Sequence, residues 1–134
     1  MTTLTARLDP ALGTRVHSVR TLRYATAAAL EDDRPPHPRA ASGLAWSGGR
    51  LVVIQDDASF IAVVSGDEVG AIALPPGPGG RRRFEVGLGN KHHKLDLEAC
   101  VAIDEAELWM FGSGSTAARN RIVMVAEDRS VRIA

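Results

Sequence analysis

Hydrophobic and polar positions change places along this chain in short bursts, not in helical stripes. Ser42–Trp46, Leu51–Gln55, Phe60–Val64 and Val69–Leu74 are four strand-length runs rich in Val, Ile, Leu and aromatic residues. Between them lie Ser47-Gly48-Gly49, Asp56-Asp57 and Ser65-Gly66-Asp67. Each is turn chemistry: glycine reaches positive φ without steric cost, and Asp or Ser hydrogen-bonds its own backbone. The spacing predicts a four-strand meander. It predicts a second over Leu97–Ile103, Leu108–Phe111, Arg121–Val125 and Val131–Ile133, with connectors Asp104–Glu107, Gly112–Asn120 and Glu127–Ser130. Ahead of both, Val16–Tyr24 reads as a strand with mixed alternation and Ala25–Leu30 as a short helical turn. Asp32–Pro38, with three prolines, reads as an extended connector.

The two meanders align. Ser42-Gly43-Leu44-Ala45 lies on Glu98-Ala99-Cys100-Val101 at an offset of 56 residues, and Leu51–Ile54 on Leu108–Phe111 at 57. That period is somewhat above a propeller blade's usual length, the excess falling in the loop after Leu74. Leu97–Ile103 is apolar on both faces apart from Glu98, which suits sheets packed face to face. The expected fold is therefore all-β: a partial β-propeller with two four-stranded antiparallel blades plus an N-terminal strand. One antiparallel sandwich of eight or nine strands is the alternative. The divisions are residues 1–38 (N-terminal strand and Pro-rich connector), 39–80 (first blade), 81–95 (basic loop) and 96–134 (second blade). A closed ring takes about four to eight blades. Remaining blades or self-association are thus expected to cover the open sheet faces, unless the chain is a truncated product.

Composition narrows the partners. Sixteen Lys and Arg balance sixteen Asp and Glu, so no bulk positive field draws nucleic acid or a membrane surface. The longest apolar runs, Leu51–Ile54 and Phe60–Val64, are too short to span a bilayer, and Met1–Pro10 lacks the apolar centre of a signal peptide. A single cysteine, Cys100, excludes an internal disulfide and fits a reducing compartment, so the expected location is the cytoplasm.

In an up-and-down meander alternate connections share an end. The short turns fall together at one end, while His37–Ser42, Asp56–Ser59, Pro75–Leu95 and Gly112–Asn120 gather at the other, where function in scaffolded folds tends to sit. Glu98 opens an inner strand beside Ala99 and Cys100 and is the candidate catalytic carboxylate, as a general base or as a calcium ligand. Structural pairing with Arg, Lys or backbone amides is its plainer role. Asp96, two residues earlier, points the same way in a continuous strand and is the second candidate metal ligand; capping a loop is its plainer role. Asp56 and Asp57 are adjacent, so at most one is expected to reach Glu98. Ser113 and Ser115 with Arg119 and Arg121 offer hydroxyls and charge to an anion, and Lys91, His92 and Lys94 add charge suited to a small anionic ligand. A hairpin loop and a solvated basic loop are the plainer readings. Arg81–Arg83 reinforce the local positive charge, but no aromatic platform beyond Phe84 supports single-stranded nucleic acid.

Asn90–Ala99, together with Phe111–Thr116 and Arg121, resembles an uncharacterised family of bacterial six-bladed β-propellers, and Ser42–Trp46 with Leu51–Asp57 resembles that family's preceding blade. More loosely, both segments resemble phytase-like esterase and gluconolactonase-type propellers, in which an acidic residue opens an inner strand. Ser42 stands at that acidic position in the first segment, a departure from the lactonase metal site. The resemblance implies a ligand-binding or hydrolase-like protein; a non-enzymatic interaction scaffold is the other class that fits.

Overall fold

The computed structural model describes residues 5–26, 32–104 and 107–134. The fold is all-β: two four-stranded antiparallel sheets, consistent with a partial β-propeller. The first has the order β1 (Ala41–Ser47), β2 (Arg50–Gln55), β3 (Phe60–Ser65), β4 (Glu68–Ala73). The second has β5 (Leu97–Ile103), β6 (Glu107–Gly112), β7 (Ile122–Val125), β8 (Val131–Ile133). Within each sheet every strand pairs with its sequence neighbour; Gly48, Gly49 and Gly66 take the positive φ that the tight β1–β2 and β3–β4 turns need. No helix of the described residues is long and apolar enough to cross a membrane.

Both sheets carry an irregularity at the same place. The β1–β2 register slips between Ala41 and Gly43, and the β5–β6 register between Leu97 and Ala99. Ser42 and Glu98 are the extra residues of these bulges. The sheets meet with β1 alongside β5, where the Ser42 hydroxyl donates to the Leu97 carbonyl at 2.5 Å. Val52, Ile54, Ile61 and Leu74 of the first half pack there on Leu97, Leu108, Met110, Val123 and Val125. A Cβ on Gly43 would stand 2.9 Å from the Ile54 Cδ1 and 3.4 Å from the Cys100 sulfur, so glycine lets the inner strands approach. Cys100 is half-buried at this seam, and burial pushes its thiol up, away from a reactive thiolate.

Val16–Tyr24 forms no strand, contrary to its alternation. Val16 and Val19 are three apart and cannot share a strand face, and they stay 76% and 89% exposed. Leu22 and Tyr24, two apart, do share one: they lie on the first sheet against Val53, Ala62 and Val69. The segment is pinned by the Ala25 N–H donating to the Val69 carbonyl at 2.9 Å and by Arg20 donating to the Gly66 and Asp67 carbonyls, each at 2.6 Å. The helical turn expected over Ala25–Leu30 falls largely outside the described residues.

Candidate functional site

The irregular connections do gather at one end, and a chain of ion pairs links them across the two sheets. At its centre is Lys94, whose side chain is only 7% exposed. Its Nζ lies 2.6 and 2.7 Å from the two Asp56 carboxylate oxygens, 2.6 Å from the Asp96 Oδ1 and 3.5 Å from the Asp57 Oδ1. Asp56 and Asp57 come from the β2–β3 hairpin; Lys94 and Asp96 come from the approach to β5. Asp96 also accepts from the Ser113 hydroxyl at 2.5 Å and from Ser115 at 3.4 Å, and pairs with the Arg119 Nη1 at 3.1 Å. Lys91 completes the chain, 3.4 Å from Asp57.

Local geometry explains how Asp96 serves so many donors. It sits at φ 56°, a left-handed conformation that Asp tolerates better than most side chains. There its carbonyl accepts from the Ser113 N–H at 2.9 Å while its side chain takes the Ser113 hydroxyl. The β6–β7 loop is drawn against it because Gly112 lacks a side chain: a Cβ there would lie 2.1 Å from the Arg119 carbonyl oxygen and 3.1 Å from that of Leu95.

The electrostatics of the two central aspartates diverge. Burial pushes Asp56 up, and the hydrogen bond from Lys94 does not fully offset it; Asp96 alongside raises it further. Burial acts on Asp96 in the same direction, but the hydrogen bonds from Lys94 and Ser113 outweigh it and hold Asp96 well below the usual carboxylate range. For Lys94, burial favours the neutral amine, yet Asp56 and Asp96 win and keep it cationic beyond its ordinary value. Asp56 is therefore the carboxylate able to exchange a proton, and Asp96 the fixed anion. Lys94 is an ammonium, not a nucleophilic amine.

Glu98 joins by way of its bulge, not through strand alternation from Asp96. Ligand oxygens of Asp56, Asp96 and Glu98 lie within 4.8 Å of one another, with Glu98 exposed. This donor set suits a hard cation such as calcium, but the Lys94 ammonium already places a positive charge on two of the three carboxylates. Of the adjacent pair, Asp56 joins Glu98, while the Asp57 carbonyl accepts from the Phe84 N–H at 3.0 Å. His92 is exposed and lies against His93 with ring centroids 3.8 Å apart and planes tilted by 45°, and the Arg121 side chain is exposed, so neither belongs to the cluster.

The basic loop is neutralised. Asp33 lies within 3.6 Å of Arg81 and accepts from the Arg82 and Arg83 N–H groups at 3.2 and 2.9 Å. Arg82 also lies 3.8 Å from Asp32, and Glu85 pairs with both Arg83 and Arg39. Phe84, fully buried, anchors the same segment. Sequence reasoning missed two residues here. Asp33 ties the loop, and Gln55, buried at the end of β2, donates to the Tyr24 hydroxyl and the Phe60 carbonyl while accepting from the Arg39 N–H. A Gln closing an otherwise apolar strand was the available signal.

A cavity of about 420 Å³ lies at the other end of the sheets, among the short turns, and shares no lining residue with this cluster. Residues 37–133 match the model of a family of unknown function (DUF6929), and the chain belongs to that family. No curated protein matches the chain, and no solved structure does.

Proposed function

We propose that this family member binds a small, hydroxyl-bearing ligand at the loop-rich end, with hydrolase-like proton transfer by Asp56 beside the fixed anion Asp96. The observation that carries this reading is the unlike pair of carboxylates around one buried ammonium, with Glu98, Ser113 and Ser115 accessible beside it. Two carboxyls held apart in protonation supply an acid or base and an electrostatic partner from one site. An anionic ligand fits less well than the sequence suggests, because Lys91, Lys94 and Arg119 are each bonded to a carboxylate. Neutral polyols, by contrast, pair with carboxylates and hydroxyls without a Coulombic penalty. Saturation-transfer NMR against a panel of sugars and sugar lactones tests this. Binding by wild type that is lost in Glu98→Gln and Asp56→Asn supports it; no binding by any member, or binding indifferent to both changes, overturns it.

The propeller reading belongs with this proposal. The two sheets share strand order and bulge position, and the face of β6 that carries Val52 and Ile54 in β2 carries Trp109 and Phe111. In the first sheet that face is covered by the second sheet; in the second it leaves Val101 and Ile103 43% and 40% exposed. A further sheet laid there in the same way would continue a ring. Such open apolar surface also favours a scaffold role as the second reading. A calcium site at Asp56, Asp96 and Glu98 is a separate question: with Lys94 supplying the charge, added calcium is expected to leave the melting temperature of the wild type unchanged, and a rise would mean that the carboxylates take the cation.

A further inference from the structure

We propose that the cleft between the two sheets at the short-turn end binds a small organic carboxylate with an aliphatic or aromatic body. The cleft holds about 420 Å³, within the range of small-molecule sites. Val52, Ile61, Val63 and Ile72 form its wall from the first sheet, Leu108 and Val125 from the second. A shallower hollow of about 220 Å³ continues over Gly70 and Ala71.

Charge selects the ligand. Arg50 and Arg129 border both hollows, whereas Glu127 borders only the first and Glu68 only the second. Among the described residues, neither guanidinium has an ion pair or a hydrogen bond, unlike those of Arg81 and Arg119 at the loop-rich end. The turn carrying Arg129 is fixed, its own N–H donating to the Ala126 carbonyl at 2.9 Å and the Ala126 N–H to the Ser130 carbonyl at 3.1 Å. Two guanidinium forks at the mouth of an apolar slot match a carboxylate head with a hydrocarbon body: the head takes charge-assisted hydrogen bonds and the body leaves water. This site is separate from the carboxylate cluster and does not depend on it.

Octanoate, 1-octanol and octylammonium, titrated in parallel into the isotopically labelled full chain, provide the test. Octanoate is expected to bind saturably, shifting the amide signals of residues 47–52 and 125–129, and to bind more tightly than the other two. Arg50→Gln combined with Arg129→Gln, both at exposed positions, is expected to weaken octanoate about tenfold while leaving the urea midpoint unchanged. Val63→Trp fills the slot and abolishes binding. Equal or tighter binding of octylammonium, shifts centred on the open face at 101–103, or no saturable octanoate binding would each overturn the proposal.

Discussion

Replacing Lys94 by Met keeps much of the side chain's length and apolar stem while deleting the charge at the centre of the cluster. In the wild type, Lys91, Lys94 and Arg119 stand against Asp56, Asp57, Asp96 and Glu98; in the variant the four carboxylates keep two cations, and the two that lay 2.6 Å from the ammonium face each other directly. Removing one partner of a buried pair costs about 3–5 kcal/mol. Asp56 is 23% exposed and can hydrate or take up a proton, so the low end applies, about 3 kcal/mol at pH 7. The pH dependence follows from the direction of each shift. The folded-state value of Lys94 is raised above 10.5, so its stabilisation is complete below 10.5 and is lost as the pH rises through the folded value. Asp56, raised above 3.8, protonates early as the pH falls, which relieves the repulsion in the variant. Urea unfolding of both proteins should therefore show a gap widest near neutrality, narrowing as the pH falls toward the carboxylate range and as it rises beyond 10.5. A loss under about 1 kcal/mol at pH 7, the worth of an exposed ion pair, would refute the reasoning.

Gly112→Ala should destabilise the chain by about 1–3 kcal/mol, because its Cβ meets the Arg119 carbonyl backbone and not a side chain that could move; chemical denaturation reads it. Ser113→Ala removes a donor that holds Asp96 down. It should cost about 0.5–1.5 kcal/mol at pH 7. A depressed carboxylate stabilises above its unfolded value of 3.8 and loses that as the pH falls through the folded value, so the variant should approach wild type in strong acid. Gln55→Leu leaves the Tyr24 hydroxyl and the Phe60 carbonyl without their buried donor. The expected cost is about 1–3 kcal/mol, seen as a lowered urea midpoint with released Tyr24 fluorescence.

The eight strands of the two sheets were legible because each is a short apolar run closed by turn residues. Leu97–Ile103 and Val131–Ile133 coincide with their predicted bounds, and the others differ by a residue or two at the ends. The gathering of loops at one end followed from alternation alone. Tertiary information was not legible. Val16–Tyr24 carries β-formers, but its apolar spacing gives it no consistent face, and it lies on the sheet without pairing. Lys94 read as one more charge in a basic loop; its burial depends on two aspartates 38 and 37 residues earlier, on the other sheet. Arg81–Arg83 read as a cationic patch, yet Asp32 and Asp33, some 50 residues away, neutralise it. Two-residue strand periodicity was the ground for pairing Asp96 with Glu98, whereas Asp96 lies at φ 56° ahead of β5 and Glu98 occupies the bulge, so the two are not alternate residues of one regular strand.

Carbon-detected NMR titration of the aspartate carboxyls in the full chain, from pH 7 downward, bears most directly on whether two loops from separate sheets build one unlike pair around Lys94. Asp56 should take its proton above pH 3.8, while Asp96 stays ionised long after. Two carboxyls titrating together near 3.8, or Asp96 protonating before Asp56, would mean that the cluster does not form.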